Sequence, residues 1–164
     1  MSENRKHVKM CFGIHNHQPV GNFGWVFEGA VERSYLPFLE VLKDFPAIKA
    51  AIHTSGPLLE WVEENRPQYV DRLGELVDRG QVEILGGGFY EPILNTLPAR
   101  DAVEQIQWMK EWAESRLGAS VRGAWLTERI WDPSLPLLLS QAGIEYTICD
   151  TTHFQWAGLQ PEEI

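Results

Sequence analysis

Gly80-Gln81-Val82-Glu83-Ile84-Leu85-Gly86-Gly87-Gly88 reads as a helix stop, a short buried strand and a loose exit. Gly80 ends a helical pattern opened by Pro67, with Val70, Leu73 and Val77 at helical spacing. The strand is 82–85. The three glycines after it let the backbone turn sharply or approach a ligand closely. A strand with a helix before it and a helix after it has no hairpin partner. It pairs in parallel with strands reached through crossover helices.

The same unit repeats outward from this stretch. Upstream, 8–14 reads as a buried strand ending at His15-Asn16-His17-Gln18-Pro19, followed by a Gly- and aromatic-rich loop over 21–28. A helix over 34–44 places Tyr35, Phe38, Leu39 and Leu42 on one face, with Pro37 in its first turn. A second strand, 47–52, ends at His53, and Ser55-Gly56-Pro57 opens a short helix through Trp61 and Val62. Downstream, a helix over 99–117 turns Ala102, Ile106, Met109, Ala113 and Leu117 inward and stops at Gly118. Trp108 and Trp112 form a second stripe assigned to packing. A strand at 121–126, a helix at 135–141 and a strand at 144–149 complete the alternation, and 159–163 resembles the opening of another helix. This is an α/β chain with a parallel sheet. A doubly wound sheet and a barrel both fit. The absence of a Gly-x-Gly-x-x-Gly or P-loop after the first strand weakens the nucleotide-binding version.

The chain has 164 residues, 44% hydrophobic and 23% charged, enough for one core. A complete (β/α) barrel typically needs about 250 residues. Residues 1–7 read as a polar tail and 8–164 as one truncated domain, part of a longer protein. Asp and Glu number 23 against 14 Lys and Arg, a net charge of -9. No basic cluster offsets it, so nucleic acid is excluded as a partner. No apolar run approaches the roughly 18 residues of a membrane span, and the expected compartment is the cytoplasm. Cys11 and Cys149 are expected to be free thiols in buried strands.

Reactive groups in parallel α/β folds collect at the carboxyl ends of strands. Here those ends carry His15 and His17, His53, Tyr90 and Glu91, Thr127-Glu128-Arg129, and Asp150 with His153. His15 and His17 are two apart on an extended strand, so both point one way, toward two sugar hydroxyls or one metal. Glu83 is a carboxylate in mid-strand, costly to bury unless paired or bound. It either faces a barrel interior and a polar ligand or pairs with an arginine such as Arg122. Glu128 lies in Trp125-Leu126-Thr127-Glu128-Arg129-Ile130-Trp131. A carboxylate past a strand end, with indoles to stack on a sugar ring and an arginine to favour its charged form, suits glycosyl chemistry.

His15-Asn16-His17-Gln18-Pro19, then Gly80-Gln81-Val82-Glu83-Ile84 running on to Phe89-Tyr90-Glu91-Pro92, then Trp125-Leu126-Thr127-Glu128-Arg129-Ile130-Trp131 resemble the first three signature regions of glycoside hydrolase family 57. The likeness is to its 4-α-glucanotransferase and α-amylase branch and covers about residues 9–159. It also takes in the loop from Gly21 to Glu28 and the segment Gly56-Pro57-Leu58-Leu59-Glu60-Trp61.

The resemblance implies the first five βα units of an incomplete (β/α)7 barrel that acts with retention on an α-glucan or maltooligosaccharide, without cofactor or metal. By that likeness Glu128 is the nucleophile. His15, His17, Glu83 and Trp125 grip the reacting sugar, and Trp25 is an outer stacking platform. The family's general acid is an Asp after a later strand, which this sequence does not reach. Retaining chemistry needs two carboxyl groups about 5–5.5 Å apart, so the chain alone is expected to be inactive. Its unclosed sheet is expected to favour self-association as a homo-oligomer. Two other readings compete: a metal-dependent amidohydrolase or sugar deacetylase using His15, His17, His53, Asp150 and His153, and a non-catalytic glucan-binding piece.

Overall fold

The structure, a computed structural model, describes residues 9–163; the polar tail 1–7 lies outside the described residues. Five strands form one sheet: β1 (Gly13–Asn16), β2 (Ala50–Thr54), β3 (Val82–Gly86), β4 (Gly123–Ala124) and β5 (Tyr146–Thr147). All neighbours pair in parallel, in the order β1-β2-β3-β4-β5. A doubly wound sheet reverses its strand order at a switch point. This order never reverses, so the sheet winds in one direction, as the wall of a barrel does.

The register sorts the two faces. Gly13 pairs with Ala51, Ala51 with Glu83, and His15 with His53. Alternation therefore puts His15, Ala51, His53 and Glu83 on one face, the inner one. The other face carries Ile52, Val82, Ile84 and Ala124, buried in the main core against the helices. The helices are α1 (Gly24–Ala30), α2 (Leu36–Asp44), α3 (Gly56–Asn65), α4 (Pro67–Asp78), α5 (Ala99–Leu117), α6 (Leu135–Gln141) and α7 (Thr151–Trp156). α5 buries Ala102, Ile106, Met109, Ala113 and Leu117, the stripe its spacing predicts, and ends at Gly118 with φ 61°.

Several local readings are corrected. The segment 21–28 is not a loop throughout. It holds α1, which a wide π turn (Val31–Tyr35) joins to α2. Phe27 and Val31 are buried four residues apart, and Phe27 stacks on Trp61, so tertiary burial overrides the glycines. α4 buries Tyr69, Leu73 and Leu76; Val70 and Val77 sit on the shoulder of that stripe. α7 lies where no helix is expected. The outer strands are shorter than the apolar runs suggest, because a strand needs a paired neighbour as well as buried side chains. Val121, Leu126 and Ile144 are buried beside two-residue strands. β1 starts at Gly13, so Cys11 is exposed at an uncovered edge rather than buried, and Cys149 is half-buried; both are free. Glu83 makes no ion pair with Arg122. It accepts a hydrogen bond from the Tyr146 hydroxyl at 2.7 Å, while Arg122 pairs with Glu145. Gly123, between β3 and β5, leaves room for the Tyr146 ring to cross; a Cβ there would collide with it.

Candidate active site

The carboxyl ends of the strands surround a hollow of about 560 Å³. His15, His17, Tyr90, Glu91, Trp125 and Glu128 line it, with Pro19, Val20, Thr127 and Arg129 at its edges.

The His15–Pro19 segment is held from behind. Asn16, on the opposite face from the histidines, donates to the buried Tyr69 hydroxyl at 3.1 Å, which also lies 3.0 Å from Thr54 Oγ1. The Tyr35 hydroxyl donates to His17 O at 3.1 Å and accepts from Gln18 Nε2 at 3.1 Å. Gln18 Oε1 in turn accepts from Asn22 at 2.8 Å. These bonds leave the histidine rings facing the hollow. His15 stacks between His17 (5.7 Å, 25°) and Trp125 (4.5 Å, 14°). Its Nδ1 lies 2.8 Å from Nδ1 of His53, which is fully buried behind it.

Gly87 allows this packing. Its φ is 154°, and a Cβ there would come within 2.7 Å of Trp125 O and 3.1 Å of His53 Nε2. The glycine run therefore serves close approach of backbone to backbone and ring.

Glu128 sits in a 3₁₀ turn (Thr127–Arg129) just past β4, exposed to the hollow, with φ 54° and ψ 13°. Glu91, Glu128 and Arg129 are the non-glycine residues with positive φ among those described, and all three line the hollow. Left-handed backbone at such residues costs of the order of 1–3 kcal/mol each, and it clusters at functional sites. Arg129 does not pair with Glu128; its partner is Asp150, at 3.3 Å. Asp150 also receives α7: its backbone N–H donates to His153 Nδ1 at 3.2 Å, so that histidine caps a helix.

The electrostatics follow burial. His15 is pushed down to about 4 by burial and then by His17, and His53 is held well below the usual imidazole range by burial, His15 and His17. His17 is lowered by burial, against the raising effect of Glu128. At neutral pH these rings are uncharged, each with one donor and one acceptor nitrogen. Glu91 is pushed up to about 7 by burial and then by the Glu128 carboxylate. His15, His53 and Glu91 each offer one ligand atom within 4.8 Å of the others, a set able to hold a cation. Asp150 and His153 stand outside that set.

The structure thus brings His15, His17, Trp125 and Glu128 into one hollow. It does not bring Glu83 or Trp25 there. Glu83 shares the inner face but lies one pleat nearer the amino ends, bound to Tyr146. Trp25 stands on α1, 71% exposed and stacked on Phe23. The sequence reading listed Glu91 among the strand-end groups and gave it no role in the site. Its signal was a carboxylate at a strand end after three glycines.

The family model described as "Glycosyl hydrolase family 57" matches residues 11–162. The chain belongs to this family. It is 58% identical over 157 residues to an alpha-amylase of Pyrococcus furiosus and 54% identical over 157 residues to a 4-alpha-glucanotransferase of Thermococcus litoralis. Each match covers 96% of this chain and 24% of the relative. The crystal structure of the Thermococcus litoralis 4-alpha-glucanotransferase superimposes with a TM-score of 0.90 at 56% identity, over 93% of this chain and 24% of that one. The chain therefore spans about a quarter of the length of these relatives. Membership of the family supports a carbohydrate-active enzyme and leaves the amidohydrolase or deacetylase reading without support. Among the described residues no helix is long and apolar enough to cross a membrane.

Proposed function

We propose that this chain is the nucleophile-bearing part of a retaining enzyme that transfers or hydrolyses α-1,4-glucans. In this reading a Glu128 carboxylate oxygen attacks C1 of the bound sugar. The O–C1 bond to Glu128 forms as the C1–O glycosidic bond breaks, and the leaving oxygen takes a proton from a general acid outside this chain. Water or a sugar hydroxyl then attacks C1, gives its proton to that same acid's conjugate base, and frees Glu128. Trp125 supplies a face for the sugar ring, and the His15–His17 side supplies polar contacts. Trp25 is an outer platform, and Glu83 acts lower on the inner face.

One observation carries the reading: Glu128 faces the hollow from a left-handed turn, in the same lining as His15, His17 and Trp125. The relatives' printed activities supply the substrate class. The reading also puts the enzyme in the cytoplasm and lets this chain by itself pair between copies; fractionation and sedimentation test these two points. The decisive experiment treats the full-length enzyme containing this chain with a fluorinated glucosyl inactivator and maps the labelled peptide. Label on Glu128 is expected. Label on any other residue overturns the assignment.

A further inference from the structure

His17 is supported by a hydrogen bond that the sheet does not supply. Around β1 the even-numbered residues face β2. Phe12 O accepts from Ala51 N–H at 2.9 Å, Asn16 O accepts from Ser55 N–H at 3.0 Å, and Gln18 N–H donates to Ser55 Oγ at 3.3 Å. Alternation turns the His17 carbonyl the other way, to the open side of β1, the first strand of the sheet. A carbonyl on an open edge needs water or a side chain as its donor. Here the donor is the Tyr35 hydroxyl, at 3.1 Å.

The chain goes to some length to place that hydroxyl. Tyr35 closes the π turn (Val31–Tyr35) between α1 and α2. Such turns are rare and recur at functional sites. This one is anchored on two sides. Val31 is fully buried, and Glu28 and Glu32 both pair with Arg66, at the junction of α3 and α4.

A tyrosine hydroxyl has one proton, and this one has two neighbours, His17 O and the Gln18 side chain, each at 3.1 Å. Gln18 decides where the proton goes. With Nε2 toward Tyr35 it donates, and the Tyr35 proton is free for His17 O. With the amide turned over, Gln18 Oε1 would take that proton and the carbonyl would lose its donor. Asn22 prevents the turnover. Its Oδ1 accepts from Phe23 N–H at 2.9 Å, at the start of α1, so its Nδ2 is the atom that donates to Gln18 Oε1, at 2.8 Å. Four hydrogen bonds thus run one way, from Phe23 N–H through Asn22, Gln18 and Tyr35 to His17 O. Pro19 adds to this by keeping the Gln18 backbone out of the helical region.

We propose that Gln18 is a positioning residue: its amide aims the Tyr35 O–H at the His17 carbonyl, and that bond holds the His17 imidazole against the reacting sugar. The backbone is then pinned on both sides of the His17 Cα. Asn16 O and Gln18 N–H are tied to Ser55, and His17 O is tied to Tyr35. The direction of the His17 side chain, 42% exposed in the lining of the hollow, follows from these ties. A contact at the reacting ring tightens in the transition state, so a small displacement of it costs turnover more than binding. Asn22, which sets the Gln18 amide, serves the same end one step further out. The sugar in this inference rests on the function proposed above; the direction of the hydrogen-bond chain does not.

The test uses the full-length enzyme containing this chain. Gln18→Glu keeps the size and has no N–H to give, so its carboxylate takes the Tyr35 proton. Asn22→Asp acts one step back: it accepts from the Gln18 amide, turns it over and brings Gln18 Oε1 to Tyr35. Each variant, and Tyr35→Phe, is expected to lower kcat on the order of 10- to 100-fold with little change in KM. Gln18→Glu added to Tyr35→Phe is expected to cost nothing further, because both break one bond. A second readout needs no sugar. Carbonyl-¹³C histidine with ¹⁵N glutamine marks the His17–Gln18 step, the only His–Gln step in this chain. Its carbonyl resonance is expected to move upfield in Asn22→Asp and in Tyr35→Phe, as the hydrogen bond is lost. Wild-type kcat in Gln18→Glu and Asn22→Asp overturns the proposal, and so does a carbonyl resonance that stays in place in Tyr35→Phe. A loss confined to the amount of folded enzyme, with kcat per inactivator-titrated site unchanged, also overturns it. If the inactivator labels a residue other than Glu128 while the carbonyl resonance moves, the function fails and the hydrogen-bond chain stands.

Discussion

The inner face has two halves with different characters. On the β1–β3 half the polar groups pack on one another: fully buried His53 behind His15, and the largely buried Glu91 against His15, His53 and the half-exposed His17. On the β4–β5 half the strands are two residues long and the charges are exposed, with Arg129 on Asp150 and Arg122 on Glu145. Long paired strands exclude water and let burial shift protonation, whereas short edge strands leave charges solvated. The site is built across this boundary. Its binding groups come from the rigid half and its proposed nucleophile, Glu128, from the open one.

The sharpest way to break this division is at Glu128. Glu128→Gln in the full-length enzyme is expected to cut maltooligosaccharide turnover by about 10⁴-fold, since Glu91, the other carboxylate lining the hollow, is buried against three histidines. Chromatographic assay of disproportionation products measures it. A rate near wild type would move the nucleophile off the open half altogether.

The next effect is on stability and belongs to the buried half. Glu91 has its folded value raised to about 7 from 4.5, so the folded chain keeps a proton that the unfolded chain has lost. Its contribution is full below about pH 4.5 and is lost as pH rises through 7. His15 behaves oppositely. Its folded value of about 4 against 6.5 means that stability falls as pH drops from 6.5 through 4, and His53 and His17 are shifted the same way. Together they predict a maximum near pH 6–7. Glu91→Gln removes the decline that Glu91 contributes between about pH 4.5 and 7. Between pH 5 and pH 8 wild type is expected to lose of the order of 3 kcal/mol more than the variant, by urea unfolding at each pH. Parallel pH profiles for the two proteins would show that Glu91 is not buried as a neutral acid.

Much of this was legible in the sequence, and the failures are physical. The α5 stripe was readable because five inward residues repeat at helical spacing over a long element. The parallel sheet was readable from its alternation with helices. α1 was hidden because two glycines and exposed aromatics suit a loop, and only the burial of Phe27 against Trp61 makes it a helix. At the site, strand-end position brought out Glu128 and the histidine pair. It did not reveal that His15 turns Nδ1 onto His53, or that Glu91 turns back toward β1, because both depend on contacts between residues 38 or more apart in sequence. Spacing within one segment carries no information about them.

The smallest effect is at Arg129, where sequence proximity suggested a partner for Glu128 and the structure supplies Asp150. The pair is 3.3 Å apart, with side chains 50% and 39% exposed, so water and salt screen it. A double-mutant cycle of Arg129→Ala and Asp150→Ala, measured by urea unfolding, is expected to give a coupling of about 0.2–1 kcal/mol that shrinks as salt is added. Asp150 also opens α7, so part of the loss in its single variant comes from that helix start, and the cycle removes this part. A cycle of Arg129→Ala with Glu128→Gln should show less coupling. If it showed more, the arginine would belong to the nucleophile after all, and the open half would hold an organised charge pair like those of the buried one.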